Sequence, residues 1–336
     1  MEDLRVAPPV IEEVAGSDKA PRWPTLELLL GGILVAAVVR PAIVRFLEGA
    51  PELQTWATIF VSVSLQAFPF LVMGVVLAGA IAAFVPAGWM TRALPRRPLL
   101  AVPVAGVVGS ALPGCECGSV PISARLVARG ALPAAALTFM LSAPAINPVV
   151  MVSTAVAFPG RPAFVVARFV ASLLTAVGVG FIWIRFGREA YTSRASRHST
   201  DGGTQWATFR ESVRHDFFHA GGFLVVGAAA AATLQVIVPR SVLDTVAGSG
   251  LVGVLTLAVL AVLLSICSEA DAFVAASLGQ FSPTAQLAFM VVGPGVDLKL
   301  VALQAGIFGR PFALRFAPLT FGVAVVMSVV VAWVLL

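Results

Sequence analysis

Long apolar segments separated by short polar stretches fill most of this chain. They do not alternate with period two, so they are helices rather than the strands of a membrane barrel. From position 53 onward they form eight blocks, at about 55–85, 99–129, 132–158, 162–186, 218–238, 249–279, 284–308 and 312–335. Since about 20 apolar residues span a bilayer, this pattern predicts an all-α integral membrane protein, a polytopic helical bundle of about 8–9 spans. The ninth is a weaker apolar segment at 25–47, interrupted by Arg40-Pro41.

The two halves of the chain repeat each other, with a spacing that drifts only from 153 to 147 residues. An ordered series of matches at one spacing is the sequence signature of internal repeats, which many membrane transporters have. The matched strings include Gly74 with Gly227, Pro144-Ala145-Ile146-Asn147 with Pro294-Gly295-Val296-Asp297, and Gly160-Arg161-Pro162 with Gly309-Arg310-Pro311.

This interpretation divides the chain into five regions. They are a disordered tail (1–24), a first transmembrane segment (25–47), repeat 1 (53–186), a polar linker (187–216) and repeat 2 (217–336). Within each repeat, two of the four blocks are interrupted by short motifs that contain Gly or Pro. Each interrupted block is either one long span with an unwound centre or a re-entrant hairpin, and both alternatives place the motif near the bilayer midplane.

Composition agrees with a multi-pass protein of the cell membrane. Its expected partner is therefore the lipid bilayer that surrounds it. Hydrophobic residues make up 59% of the chain and charged residues 12%, with a mean hydropathy of +0.96. The net charge of +5 comes from arginines in loops and at segment ends, which does not indicate nucleic-acid binding. The chain has no phosphate-binding loop of the Gly-x-x-x-x-Gly-Lys-Ser/Thr type, so ATP hydrolysis is not expected. Its three cysteines do not suggest a disulfide framework.

Most of the cysteines and acids that could bind a substrate lie in the motifs that interrupt the apolar blocks. The first break of repeat 1 holds Cys115, Glu116 and Cys117, and its counterpart in repeat 2 holds Cys267, Glu269 and Asp271. Thiolates favour soft or borderline metals, and carboxylates add negative charge and hard oxygen ligands. We therefore predict that these six residues bind a metal ion, which would be a transported substrate rather than a resident cofactor.

The second break contributes a further set of predicted substrate-binding residues. It holds Asn147 in repeat 1 and Asp297 in repeat 2, with Lys299 two residues later. Lys299 is either the counterion of Asp297 or a switch that competes with a substrate cation. Asn147 and Asp297 also suit the cap position of the half-helices that follow.

A structural alternative remains open for the acids of the counterpart break. Glu269 and Asp271 could form ion pairs with arginines such as Arg125 or Arg168. In that interpretation they stabilise the bundle rather than bind a substrate, because intramembrane acids commonly pair with bases.

The motifs carry a resemblance that covers roughly residues 50–336. Pro113-Gly114-Cys115-Glu116-Cys117-Gly118-Ser119-Val120-Pro121 and Ser142-Ala143-Pro144-Ala145-Ile146-Asn147-Pro148 resemble the bacterial predicted-permease family. That family includes YraQ-like and YcgR-like proteins and the organoarsenical efflux permease ArsP. The string from Cys267 to Ser277 is similar to the YcgR-like branch. The resemblance implies a polytopic transporter, export of trivalent organoarsenicals in one branch, and a second membrane subunit in another.

The Cys-Glu-Cys core departs from the Cys-Ser-Cys-like form of other branches, and the added carboxylate favours a metal cation over an arsenical. Our leading interpretation is a permease, not an enzyme, that exports a small inorganic or organometalloid species and is driven by an ion gradient. A membrane thiol oxidoreductase and a structural subunit of a two-component envelope complex are the alternatives. Homo-oligomerisation is a further expectation.

Overall fold

The computed structural model describes residues 51–85, 97–111, 116–187, 204–237 and 250–336, and the regular secondary structure in these ranges is helical. The predicted tail and the first transmembrane segment lie outside them. The helices in the described ranges are α1 (Pro51–Phe84), α2 (Pro98–Ser110), α3 (Glu116–Ala128), α4 (Pro133–Ala145), α5 (Pro148–Ala157), α6 (Pro162–Phe186), α7 (Gln205–Ile237), α8 (Gly250–Leu264), α9 (Asp271–Ser277), α10 (Pro283–Val292), α11 (Leu298–Ile307) and α12 (Arg310–Leu335).

Proline and glycine set many of the helix boundaries. A proline lies in the first two positions of α2, α4, α5, α6, α10 and α12. Its missing N–H costs nothing there, because the first helical N–H groups lack an intrahelical acceptor anyway. Gly160 and Gly309 precede α6 and α12 with φ of 73° and 105°, a region in which side chains are strained. The repeated Gly-Arg-Pro string is therefore a turn that starts the last span of each half.

Helix packing recurs between the two series α1–α6 and α7–α12. α2 packs on α4 and α6, as α8 packs on α10 and α12, and α3 packs on α4 as α9 packs on α10. The last spans of the two series, α6 and α12, lie against each other. Among the further contacts between the series, α3 lies against α11 and α9 lies against α5. We call the region of these crossed contacts the seam.

Length and composition identify the membrane-crossing segments. Five described segments are long and apolar enough to span a bilayer, at Pro51–Phe84, Pro133–Ala157, Pro162–Phe186, Gln205–Thr233 and Arg310–Leu335. Four shorter apolar helices accompany them, at Pro98–Ser110, Gly250–Leu264, Pro283–Val292 and Leu298–Ile307. The chain is thus an all-α polytopic membrane protein. One of the five segments joins α4 to α5 across the break at Ile146-Asn147, and the total of eight or nine spans stays a prediction.

One boundary differs from the sequence interpretation. We assigned 205–216 to the polar linker, but these residues form the first three turns of α7. This stretch is mostly polar, but one of its faces packs against α1. Phe209 and Val213 lie one turn apart on that face and contact Gly79 of α1. The contact is so close that a methyl group on Gly79 would not fit. The charged residues between them extend the helix beyond its apolar part.

Candidate functional site

Two buried ion pairs cross the seam. Lys299 Nζ, on the first turn of α11, lies 2.6 Å from Glu116 Oε1 at the start of α3. Arg168 Nη2 of α6 lies 2.8 Å from Asp271 Oδ2 at the start of α9. The four side chains are at most 2% exposed. Each half thus supplies one acid and one base, and each pair joins the two halves.

The Lys299 ammonium is surrounded by acceptors from both motifs of repeat 2. It donates a hydrogen bond to Cys267 Sγ at 3.5 Å and lies 3.4 Å from Asp297 Oδ2. Cys117 is buried next to Glu116 in the first turn of α3. Two of the predicted acids and one of the predicted thiols are therefore gathered around a cation that the protein itself provides.

The Arg168 guanidinium is held by three fixed acceptors. Besides Asp271, Nη2 donates to the carbonyl oxygen of Ser268 at 3.1 Å, and Nη1 donates to Thr154 Oγ1 at 2.9 Å. Arg168 thereby ties α5, the break before α9 and α9 itself to the last span of repeat 1. The structural alternative is realised for Asp271, with Arg168 as its base.

Arg125 has a different partner from the one we considered. Its Nε and Nη2 donate to the Asp216 carboxylate of α7 at 3.0 and 2.7 Å. Asp216 is 15% exposed, and the pair joins the last turn of α3 to α7. We had placed Asp216 in the linker, so this contact between the halves was not anticipated.

Asn147 and Asp297 cap the half-helices that follow them. Asn147 Oδ1 accepts a hydrogen bond from the Val150 N–H at 3.1 Å, and its amide donates to the Ala143 carbonyl at 3.0 Å. Asp297 Oδ1 accepts from the Leu300 N–H at 2.6 Å and leaves Oδ2 facing Lys299. The second break is therefore neutral and backbone-bound in repeat 1, but charged in repeat 2.

Replacing Asn147 by alanine should lower the free energy of unfolding by about 1 kcal/mol, because the α5 cap is lost. Asn147→Ser is the matched control, since a serine hydroxyl caps helices about as well as asparagine does. Unfolding by denaturant in detergent micelles measures both variants. An equal loss for serine and alanine would contradict a role for the cap.

Several buried polar atoms in these residues have no hydrogen-bond partner among the described residues. They are Glu116 Oε2, Arg168 Nε, Ser268 Oγ, Glu269 Oε2 and Asp271 Oδ1. Buried polar atoms are nearly always satisfied in folded proteins, since an unpaired one costs about 1–3 kcal/mol. The seam can therefore offer donors and acceptors to water or a small ligand.

Two aligned glycines let long spans approach the Glu116–Lys299 pair closely. A methyl group on Gly74 of α1 would collide with the backbone of Gly118, two residues beyond Glu116. A methyl group on Gly227 of α7 would collide with the backbone of Lys299 itself. Small residues at such contacts permit tight helix packing in membranes. α1 and α7 thus fix the backbone on each side of the pair.

A strained residue links the two breaks of repeat 2. Ser265, at the end of α8, has a φ of 48°, which is uncommon for a residue other than glycine. Its hydroxyl accepts a hydrogen bond from the Leu298 N–H at 3.2 Å. The break before Cys267 is thereby attached to the first residue of α11, next to Lys299.

The structure brings most of the predicted site residues together. Glu116, Cys267 and Asp297 surround Lys299. Cys117 follows Glu116 on α3, and Asp271 pairs with Arg168. Asn147 serves as a cap. Cys115 lies outside the described residues, and within them no three His, Cys, Asp or Glu side chains are placed as a formed metal site. Metal binding by the six predicted ligands therefore stays a prediction.

The sequence did not identify Arg168 and Thr154 as residues of the candidate site. Arg168 was considered only as a counterion, although it holds three elements of the seam. An arginine within the apolar block 162–186 is a strong signal, because an uncompensated charge at that depth is costly. Thr154 is uncharged, so its position in an apolar block does not indicate a role in the site.

Comparison with known proteins identifies the family. The family described as predicted permease matches residues 52–333. UPF0718 protein YcgR of Bacillus subtilis is 34% identical over 278 residues, which cover 81% of this chain and 94% of that protein. A protein of Streptococcus mutans named putative two-component membrane permease complex subunit is 30% identical, over 77% of this chain and 88% of its own length. No solved structure matches the chain.

Membership of a permease family agrees with a bundle of apolar, membrane-spanning helices. These relatives indicate a transporter rather than an enzyme, so the thiol oxidoreductase alternative is not supported. The chain belongs to the predicted permease family and is a multi-pass protein of the cell membrane.

Proposed function

We propose that this permease exports a soft metal or metalloid species through the seam between its two halves, driven by an ion gradient. The observation that carries the proposal is the convergence of Cys267, Glu116 and Asp297 on one buried position, with Cys117 buried next to Glu116 on α3. Sulfur ligands favour soft or borderline species, and carboxylates supply negative charge. The resemblance to efflux permeases favours the outward direction.

The energetics of the seam favour a functional role for these charges. A buried ion carries a desolvation penalty of several kcal/mol, which its partner offsets only in part. Acids and bases within transmembrane segments therefore mark substrate or ion pathways more often than packing. The unsatisfied atoms of Glu116, Ser268 and Glu269 add binding capacity beside the ion pairs.

The repeated architecture suggests how the site could open to either side. Many transporters with internal repeats bind their substrate between the repeats and move one part of the bundle against the other. Here both ion pairs cross the seam, so such movement must loosen at least one of them. The acids of the seam are protonatable groups, which gives an inward proton gradient a means of driving that step.

The test is flux into or out of proteoliposomes that contain the purified chain. The panel is Zn(II), Cu(I), Co(II), arsenite and methylarsenite, each with and without a pH gradient. We expect Cys115→Ser, Cys117→Ser, Cys267→Ser and Glu116→Gln to lower the flux of the transported species at least about tenfold, a loss of 1.4 kcal/mol or more. Glu211→Gln is the matched control, because Glu211 is exposed and pairs only with Arg214 of its own helix among the described residues.

Absence of flux for every member of the panel, with folded protein, would contradict the proposal. A structural subunit is the remaining alternative, and it predicts that these four variants leave cellular metal handling unchanged. Metal handling by cells that carry these variants therefore distinguishes a permease from a structural subunit.

We also propose that the chain acts with a second membrane subunit. The support is the Streptococcus mutans relative, which is named as a subunit of a two-component membrane permease complex. Affinity purification of the tagged chain from its native membranes should recover this subunit. Recovery of the chain alone, or as a homo-oligomer without other membrane proteins, would contradict this part of the proposal.

A further inference from the structure

We propose that the Lys299 ammonium occupies the position of the transported cation and must be displaced by it. The inference rests on the proposed function and narrows its substrate class to a soft or borderline metal cation. A neutral metalloid species would not replace the charge that Lys299 provides. Lys299 is thus a competitor of the substrate, built into the chain.

Geometry supplies the first argument. Nζ lies 2.6 Å from Glu116 Oε1, 3.4 Å from Asp297 Oδ2 and 3.5 Å from Cys267 Sγ. These acceptors come from the start of α3, the residue that caps α11 and the break before α9. Two oxygens and one sulfur around one position form a mixed donor set of the kind that borderline metals accept. These three donor atoms lie at distances typical of contacts with an ammonium group. Binding of a metal such as Zn(II) would require them to move inward by up to about 1.3 Å.

Charge supplies the second argument. Two carboxylates face one ammonium at this position, and all three side chains are at most 1% exposed. If the ammonium left without replacement, two buried acids would lose their counterion, which typically costs about 3–5 kcal/mol. An incoming cation removes that cost. Cys267 would release its proton to solvent when its sulfur binds the metal.

Mobility supplies the third argument, from a comparison of the two buried bases. Arg168 presents a planar fork to three fixed acceptors. Lys299 instead carries a compact charge on a flexible four-carbon stem. Two nitrogens of Arg168, Nη1 and Nη2, donate hydrogen bonds to its acceptors, but Lys299 has only Nζ with which to hold its partners. Lys299 is therefore the base that an incoming cation displaces, whereas Arg168 stays in place.

The first experiment measures Cd(II) binding to the purified chain through thiolate-to-metal charge-transfer absorption. In Lys299→Leu the competing ammonium is absent and no new ligand is introduced. We expect the Kd for Cd(II) to fall at least about tenfold relative to wild type. Cd(II) should also raise the melting temperature of this variant more than that of wild type. Lys19→Leu is the control, since Lys19 and Lys299 are the two lysines of the chain.

The second experiment uses wild-type protein, so it does not depend on the folding of a variant. An amine-acetylating reagent is applied with and without Cd(II), and mass spectrometry reports acetylation of Lys299 relative to Lys19. We expect Cd(II) to increase acetylation of Lys299 several-fold, because its ammonium leaves the buried pair.

The outcomes separate the two proposals. Cd(II) absorption without increased acetylation, or a Kd for Lys299→Leu equal to or higher than that of wild type, would overturn the competitor role of Lys299. The proposed function would survive that result. Absence of Cd(II) binding in wild type and variant, together with absence of flux for the whole panel, would overturn both.

Discussion

Replacing Asp271 by leucine should lower the free energy of unfolding by about 3–5 kcal/mol, because Arg168 would remain buried without a countercharge. Both side chains are at most 2% exposed, so water cannot compensate the loss. The other acceptors of Arg168 are neutral, namely Thr154 Oγ1 and the Ser268 carbonyl. Unfolding in mixed micelles, followed by circular dichroism, measures the change.

Two controls make this result specific. Glu211→Gln breaks the exposed Arg214–Glu211 pair and should cost at most about 1 kcal/mol. The double variant Arg168→Met/Asp271→Leu removes both charges and should recover most of the loss, since an apolar pair needs no counterion. Equal costs for Asp271→Leu and Glu211→Gln would contradict the buried ion pair.

Replacing Gly227 by alanine should also have a large effect, on both stability and transport. The added methyl group collides with the Lys299 backbone, so α11 must move away from α7. Such overpacking typically costs about 1–3 kcal/mol. It also shifts the ammonium relative to Glu116, so we expect transport to fall even where the protein remains folded.

Gly222→Ala, on the same helix, is the matched control. No atom lies within 4 Å of the position its methyl group would take. Alanine favours a helix over glycine by about 1 kcal/mol, so this variant should be as stable as wild type or more stable. Thermal unfolding and proteoliposome flux measure both variants. Equal stability and equal flux for Gly227→Ala and Gly222→Ala would contradict a close contact between α7 and α11.

The sequence predicted the helical membrane class and most segment positions, because long apolar runs and proline at helix starts are local signals. Block 162–186 coincides with α6, and Asn147 lies between α4 and α5 as expected. Glu116, Cys117 and Gly118, which the sequence analysis places in a break, instead form the first turn of α3. The start of α7 was not predicted. Its first turns are polar, and only their contact with α1 identifies them as part of the packed bundle.

The site was predictable in composition but not in pairing. Cysteines and acids are rare in apolar segments, so their clustering in the breaks was visible along the chain. That Lys299 pairs with Glu116, and Arg168 with Asp271, depends on how the halves cross at α3 and α11 and at α9 and α5. No local pattern specifies this crossing, because the partners lie more than 100 residues apart.

The crossed ion pairs also constrain how the protein is synthesised. Arg168 precedes Asp271 by 103 residues, which corresponds to roughly 5–20 s of translation. During that interval Arg168 and Glu116 are already in the nascent chain, while both of their native counterions are still absent. Insertion of the first half therefore has to shelter two ionised groups from lipid. Water in the insertion machinery can solvate them until the second half arrives.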